Sequence, residues 1–406
     1  MCDPSPFNIV GSTGELQGLL SKPELNGVKI NIGVYNIASN RYAVSSMPYP
    51  GKAFTISVKG DSIKLFNLVN FHEQYLNPPT VVGNFDKAVE VGTIVEFSEC
   101  PAFTKKVQSW LLKQPSLIRG CGMVLNELGR TQVQFPRAVV ISVEEALDEP
   151  IEIVNLDFDV PSKEGSGHCA RGRNVTFKHC RFSSLGNGFS VGDRNRLGDN
   201  AGRASVVFED CVFEGCDTGL VVAGDCHTTL QRCIFKGNRV GIEVKDGGSV
   251  VLVDCVLQNS GLAAIYMHSQ GRCVDVVNCT VEKSAQHGVL VGDGCTVRMH
   301  NITITQCEES GLHVQGGASS TTVSMESSAV SFCCRGISTA SGKIKVTVSN
   351  TTLHNNTDFG VYVEKGSAGE VTLTDCEVKD SNGQAILCED GSKCSMTCNG
   401  EKYIQM

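Results

Sequence analysis

Apolar positions recur with one fixed spacing in the second half of the chain: apolar, any, apolar, any, any, X, any, apolar. Ten such units fit between Ile151 and Val378. Their X residues are Leu156, Cys180, Cys211, Cys233, Cys255, Cys279, Ile302, Ser328, Thr351 and Cys376. Subtracting successive numbers gives intervals of 22 to 31 residues, and a period of this length is typical of repeat architectures.

A second motif follows each X position after about seven residues: glycine or another small residue, then apolar, any, apolar. Examples are Gly241 to Val244 and Gly288 to Val291. Alternation with period two predicts β-strands, and the Gly, Asn, Asp and Ser between them predict bends. Three short strands and three bends in roughly 23 residues predict one coil of a parallel β-helix, whose like strands stack at about 4.8 Å.

The repeat resembles that of the right-handed parallel β-helix proteins of the pectate-lyase-like superfamily, especially the carbohydrate-binding and sugar-hydrolase-associated repeats. The resemblance covers about 240 of the 406 residues. In that family the X residue is usually an asparagine that joins a ladder of like residues, whereas this chain has cysteine there six times. The resemblance implies an all-β, single-stranded right-handed parallel β-helix of about ten or more coils. It leaves activity open, because the fold carries lyases, hydrolases, epimerases, adhesins and scaffolds.

The two ends of the chain are predicted to be caps. In residues 1–24, Ser12 and Glu15 fit a capping box, and Leu16, Leu19 and Leu20 fit one face of a short helix. A helix there would cover the open apolar end of the solenoid. Residues 394–406 are expected to form a C-terminal cap or tail.

Residues 25–136 are predicted to hold irregular first coils that begin near residue 28 and include an insertion with a helix. The helix is predicted over Phe103–Lys113, with Trp110 on its apolar face. Such a helix would pack across the rod or bind a partner. The regular β-helix is assigned to residues 137–393.

Composition narrows the class of protein. Hydrophobic residues make up 41%, charged residues 19%, and there are 43 glycines, which is typical of a soluble, turn-rich β protein. A net charge of -8 argues against nucleic acid as a partner. We expect no membrane span, no secretory signal, no metal and no cofactor. The twenty cysteines are expected to be reduced, which predicts an intracellular, cytoplasmic location.

Candidate binding residues lie on the glycine-marked sheet, where residues flanked by inward apolar side chains must face outward. They are Glu243, Tyr266, His268, Leu290, His313 and Tyr362. Val221 and Leu387 are expected to add exposed apolar area to the same column. Glu243 and His313 are three coils apart, about 14 Å, which is too far for both to act on one bond. We therefore predict no catalytic residues.

Two classes of function remain open at this point. The first is a non-enzymatic β-helix scaffold or structural component of a larger intracellular assembly, with protein partners bound through a sheet face. The alternative is a carbohydrate-binding protein or a carbohydrate-active enzyme of the polysaccharide lyase, glycoside hydrolase or epimerase type. A viral structural protein is a further alternative. A scaffold needs open apolar surface, whereas an enzyme needs carboxylates or a carboxylate and an arginine together in a groove.

Overall fold

The fold is taken from a computed structural model of the chain. The structure describes residues 13–16, 19–22, 25, 29–36, 41–46, 55–58, 63–65, 68–70, 94–97, 108–112, 117–120, 131–134, 139–143, 151–160, 167–192, 204–268, 271–379, 385–399 and 401–403.

The N-terminal strands form a small antiparallel sheet. They are β1 (Thr13–Leu16), β2 (Lys29–Asn36), β3 (Arg41–Ser46), β4 (Thr55–Val58) and β5 (Ile63–Leu65), in the spatial order β4-β3-β2-β1-β5. The chain therefore begins with an antiparallel sheet where irregular first coils are predicted. The helix predicted after Ser12 is replaced by strand β1 in the described part of that stretch, because β1 pairs with both β2 and β5.

The next eight strands begin the solenoid. They are β6 (Leu68–Asn70), β7 (Ile94–Phe97), β8 (Gln108–Leu112), β9 (Leu117–Gly120), β10 (Thr131–Gln134), β11 (Val139–Val143), β12 (Ile151–Val154) and β13 (Leu156–Val160). All of their pairings with one another are parallel. The predicted helix over Phe103–Lys113 is wrong in its described residues, since Trp110 lies in β8 opposite Ile141 of β11.

Nine complete coils follow, each with three strands. These strands are β14 (Gly167–Lys178), β15 (Arg181–Ser184), β16 (Asn187–Val191), β17 (Ala204–Glu209), β18 (Val212–Glu214), β19 (Thr218–Val222), β20 (His227–Gln231), β21 (Ile234–Lys236), β22 (Val240–Val244), β23 (Ser249–Val253), β24 (Val256–Gln258), β25 (Ala263–Met267), β26 (Cys273–Val277), β27 (Thr280–Glu282), β28 (His287–Val291), β29 (Thr296–His300), β30 (Thr303–Thr305), β31 (Ser310–Gln315), β32 (Thr321–Glu326), β33 (Ala329–Ser331), β34 (Arg335–Ala340), β35 (Gly342–Ser349), β36 (Thr352–His354), β37 (Phe359–Val363), β38 (Ser367–Thr374), β39 (Glu377–Lys379) and β40 (Ile386–Cys388). An antiparallel pair, β41 (Lys393–Cys398) and β42 (Glu401–Tyr403), ends the first sheet.

In every coil the three strands belong in turn to a first, a second and a third sheet. Each strand pairs in parallel with the strand three places later, as β22 does with β25 and β25 with β28. The prediction of a right-handed parallel β-helix is confirmed, with nine complete coils after the first solenoid strands, β6 to β13. The glycine-marked strands of the sequence form the third sheet.

The core is a set of inward columns, one side chain from each coil. In the second sheet Phe182 stacks on Phe158 and on Phe213, with ring centroids 5.1 and 4.9 Å apart. Such stacking contributes about 0.5–1.5 kcal/mol per pair beyond the burial of the rings. Later coils place Leu257, Val281 or Ile304 in the same column. The stacking therefore holds each coil in register with its neighbour.

The X residues form a ladder at the bend between the first and second sheets. The Cys233 N–H donates to Cys255 Sγ at 3.4 Å, and the Cys255 N–H donates to Cys279 Sγ at 3.3 Å. Residues directly before X have positive φ, among them Asn278 and Asn301. That conformation turns the chain sharply, and asparagine tolerates it better than most residues. The cysteine sulfurs thus accept backbone N–H hydrogen bonds, as the side chains of an asparagine ladder would.

Candidate functional site

The outward face of the third sheet carries all six residues predicted to bind. Strand register places Glu243, Tyr266, Leu290 and His313 side by side on consecutive coils. The column continues through Ser338 to Tyr362. We call this outward surface, from Glu243 to Glu389, the third-sheet face. From Tyr266 to Tyr362 it spans four strand spacings, about 19 Å.

Glycines determine how the strands enter this face. A Cβ atom at Gly336 would lie 2.5 Å from the carbonyl oxygen of Gly360, and one at Gly288 would lie 2.6 Å from that of Gly311. Such distances are closer than any real Cβ contact, so only glycine permits this approach of neighbouring coils. Two residues that directly precede such glycines, Arg335 and His287, contact side chains of the outward face.

The first cluster on the face is built around Glu243. Its Oε1 accepts a hydrogen bond from His268 Nε2 at 2.7 Å, and Lys245 Nζ lies 3.7 Å from the same oxygen. The His268 ring stacks on Tyr266 with centroids 4.6 Å apart. All four side chains are only partly buried, so the cluster offers an aromatic surface beside a carboxylate and an ammonium group.

Electrostatics keep Glu243 ionised. Burial of Glu243 works against its charged form, but the hydrogen bond from His268 and the charges of Lys245 and Arg239 outweigh it, so the pKa of Glu243 is lowered. A carboxylate in this state accepts hydrogen bonds well. It is poorly suited to donating a proton as a general acid.

The second cluster is a pair of stacked histidines. The rings of His287 and His313 lie 4.7 Å apart with an interplanar angle of 13°. His313 Nδ1 is 2.7 Å from Ser338 Oγ, which also lies 2.8 Å from Ser310 Oγ. Burial lowers the pKa of both histidines to about 4, and the charge of Arg335 adds to the effect. Both rings are therefore neutral at pH 7.

The third cluster surrounds Tyr362. Its ring stacks on Phe359 at 5.3 Å, and the guanidinium carbon of Arg335 lies 4.4 Å from the ring centroid. The Tyr362 hydroxyl donates a hydrogen bond to Glu389 Oε1, and Glu389 Oε2 accepts another from the Lys365 N–H at 2.8 Å. Burial and this carboxylate raise the pKa of Tyr362 to about 12, while the hydrogen bonds lower that of Glu389.

The face differs from its predicted apolar character at one end. Val221 shares the column with Glu243 but is buried, with 1% of its surface exposed. Leu290 and Leu387 are half-buried. The expected open apolar stripe is thus shorter and more polar than predicted. Whether residues 75–136 cover the face falls largely outside the described residues.

Sequence reasoning missed the column that contains His287, Ser310, Arg335 and Phe359. The alternating pattern begins at the glycine, so it makes no prediction for the residue that precedes it. A signal was nevertheless present, because polar or aromatic residues precede the glycine on four successive coils. On the first sheet, Asp275 and Arg298 form an ion pair at 3.1 Å.

In the described part of the chain, no cluster of three or more His, Cys, Asp or Glu side chains is arranged to hold a metal ion. None of the helices among those residues is long and apolar enough to cross a membrane.

Comparison with known families supports the fold. The family described as the right handed beta helix region matches residues 166–326 and 318–400, which is more than half of the chain. The resemblance to pectate-lyase-like β-helix proteins is thereby confirmed. No curated protein sequence matches the chain.

Solved structures share the architecture at low sequence identity. The Dettilon tailspike protein has a TM-score of 0.54 and 9% identity over 79% of this chain and 68% of its own. A variant catalytic domain of a GH87 alpha-1,3-glucanase, in complex with tetrasaccharides, has a TM-score of 0.54 and 11% identity over 88% of this chain and 77% of its own. The surface protein and adhesin PfbA of Streptococcus pneumoniae has a TM-score of 0.50 and 11% identity over 77% of this chain and 94% of its own. At such identities the likeness establishes the fold.

These comparisons correct the interpretation of the chain as a non-enzymatic intracellular scaffold. The similar structures include a tailspike protein and the catalytic domain of a glucanase in complex with tetrasaccharides. Open apolar surface, which a scaffold would need, is also reduced by the burial of Val221. The scaffold interpretation is therefore wrong, and protein partners in an assembly are not supported.

Proposed function

Because the chain belongs to the right-handed β-helix family, whose stacked coils form long rigid faces, we propose that it binds a carbohydrate chain along the third-sheet face. The observation that carries the proposal is the row of half-buried rings on that face, interleaved with hydrogen-bonding groups. Tyr266 with His268, His287 with His313, and Phe359 with Tyr362 form three stacked pairs along it.

Sugar rings match such a surface chemically. One side of a pyranose presents C–H groups that pack on an aromatic ring, and its edge presents hydroxyls that donate and accept hydrogen bonds. Tyr266 and Tyr362 supply aromatic faces, while Glu243 and Lys245 supply partners for hydroxyls. Binding sites of this kind combine aromatic surface with a few polar groups placed to fix the orientation of the ligand.

Rigidity favours binding of an extended ligand. The rings sit on strands joined on both sides by parallel pairing, as Tyr266 is to Glu243 and Leu290. Side chains held in this way lose little conformational entropy when a ligand binds. A face of about 19 Å between Tyr266 and Tyr362 suits several consecutive sugar units.

The ionised state of the two carboxylates on this face favours binding over hydrolysis. Glycoside hydrolysis needs a carboxylic acid with a raised pKa to protonate the leaving oxygen. Glu243 and Glu389 both have lowered pKa values, because His268 and Tyr362 respectively donate hydrogen bonds to them. These groups suit the role of hydrogen-bond acceptors for hydroxyls.

A glycan screen followed by calorimetry tests the proposal. Neutral and acidic hexasaccharides of varied linkage are screened, and the dissociation constant of each hit is measured for wild type and for Tyr266→Ala. We expect Tyr266→Ala to weaken binding at least about tenfold, as the loss of an interface anchor does. Phe332→Ala is the matched control, because Phe332 is an exposed aromatic residue that contacts His354 at a different bend.

Three outcomes decide against the proposal. The absence of any hexasaccharide hit rules it out. So does equal weakening by Tyr266→Ala and Phe332→Ala, because the third-sheet face would then have no special role. Release of new reducing ends that disappears in Glu243→Gln would replace binding with hydrolysis.

A further inference from the structure

An unsatisfied cation lies within the third-sheet face. Arg335 is the first residue of β34, and its guanidinium carbon lies over the ring of Tyr362. Its Nε atom is buried and has no hydrogen-bond partner. A guanidinium N–H can only donate, and leaving a buried charged donor unpaired is costly. The missing partner must therefore be an acceptor.

A second unsatisfied atom borders the same patch. His287 is 9% exposed, and its Nδ1 atom has no hydrogen-bond partner. His287, Ser310 and Arg335 occupy one column on consecutive coils, and His313, Ser338 and Tyr362 occupy the column beside it. We call these six residues the Arg335 patch. Two buried polar atoms without a hydrogen-bond partner thus lie in one patch.

Arg335 is the cation of the patch at neutral pH. His287 and His313 are neutral because burial lowers their pKa values to about 4, so among these six residues Arg335 carries the charge. Two carboxylates border the patch, and neither forms an ion pair with Arg335. Glu389 accepts hydrogen bonds from Tyr362 and from the Lys365 N–H, and Glu309 Oε2 lies 3.4 Å from His287 Nε2.

The arrangement of Arg335 fits an anionic acceptor. The Tyr362 ring covers one side of the guanidinium, which leaves its N–H edge for partners in the guanidinium plane. Such an edge pairs with the two oxygens of a carboxylate or a sulfate in a bidentate manner.

We propose that the Arg335 patch is an anion subsite of the third-sheet face, and that the bound glycan is acidic, with its carboxylate or sulfate group held by Arg335. This proposal rests on the proposed function and specifies the class of ligand. It also commits the glycan to a position, with the charged sugar at Arg335 and further sugars extending toward Tyr266 and Glu243.

The test uses three hexasaccharides that share the backbone found in the glycan screen and differ only at C6, which carries a hydroxyl, a carboxylate or a sulfate. Wild type should bind one of the two anionic forms at least about tenfold more tightly than the neutral form, since charge-assisted hydrogen bonds are stronger than neutral ones. Comparing the carboxylate and sulfate hexasaccharides shows which of the two anionic groups Arg335 binds more tightly. Raising sodium chloride from 50 to 500 mM should weaken only the anionic complexes.

Arg335→Gln should remove the preference for the anion while leaving affinity for the neutral hexasaccharide within about threefold. Arg335→Lys keeps the charge without the planar fork and should retain only part of the preference. Arg298→Gln is the control, because Arg298 is an exposed arginine on the first sheet, paired with Asp275. Thermal unfolding and circular dichroism confirm that each variant keeps the fold.

Equal affinity of wild type for the neutral and anionic forms overturns the inference while leaving carbohydrate binding intact. An anion preference that survives in Arg335→Gln overturns it as well, because another residue would then bind the anionic group of the glycan. If the screen yields no glycan at all, the proposed function fails, and this subsite fails with it.

Discussion

Acidification should loosen the coils that carry His287 and His313, and the size of the effect follows from their burial. An ordinary histidine has a pKa of 6.5, whereas both of these have a pKa of about 4. The folded chain therefore binds fewer protons than the unfolded chain between those two values. Stability is full above about pH 6.5 and falls as the pH is lowered toward 4.

The magnitude can be worked from these values. One pKa unit is 1.36 kcal/mol, so a difference of 2.5 corresponds to about 3.4 kcal/mol for one fully buried ring. Solvent reaches part of His313, and each ring influences the titration of the other, so we expect about 2–4 kcal/mol for the pair together. Arg335 opposes a charge on either ring, and Glu309, 3.4 Å from His287, favours one.

The assay must be local, because a solenoid of nine coils need not unfold as one cooperative unit. Hydrogen exchange of His287–Val291 and Ser310–Gln315, corrected for the intrinsic pH dependence of exchange, reports opening of these coils. Protection should fall between pH 6.5 and 4 in wild type. The double variant His287→Gln with His313→Gln should lose most of that dependence.

His300→Gln is the control, because His300 is an exposed histidine on the first sheet and its loss should leave the pH profile of these coils unchanged. The reasoning is refuted if the double variant keeps the wild-type profile. It is equally refuted if the two imidazoles titrate near 6.5 when followed by NMR in the folded protein.

Two further predictions concern the interior of the coils. Asn238→Ala removes the acceptor for the Cys216 N–H at 2.9 Å and the donor to the Phe213 carbonyl at 3.0 Å, so unfolding in urea should show a loss of about 2–5 kcal/mol. Asn355→Ala, at an exposed bend, is its control. A loss below 1 kcal/mol for Asn238→Ala would contradict the stabilising role of these two hydrogen bonds. For the cysteines, denaturation without reductant should release at least the 15 thiols that are unbridged in the structure. In the native protein most should resist alkylation, because burial raises the pKa of Cys211 and brings that of Cys216 to about 12; a majority oxidised in native material would refute this.

The parts of the fold that could be predicted from sequence are those where one interaction repeats in every coil. The X position and the glycine recur because each coil must make the same bends, so their spacing predicted the strand register that places Glu243 beside Tyr266. The short amphipathic stretches near Leu16 and Trp110 carry no such repetition. Their apolar spacing fits a helix or a strand equally, and pairing with neighbouring strands decides for the strand.

The candidate site was only partly predictable, for a related reason. Alternation predicted the central column, since Glu243 lies between the inward Ile242 and Val244. It did not predict that Arg335 would share the face, because glycine at position 336 interrupts the alternation there. Contacts such as that between Arg335 and Tyr362 join residues 27 positions apart and depend on side-chain rotamers, which spacing does not specify.

Because the coils stack at equal intervals, the binding groups of the third-sheet face recur at one fixed spacing. Its rings and polar groups stand at multiples of one strand spacing, so a polymer is matched by its own period as well as by its composition. A chain whose repeat differs from about 4.8 Å falls out of phase after a few units, which limits how many of its sugars can bind at once. Inserting one whole coil between His268 and His287 would leave both clusters intact and move them one strand spacing further apart.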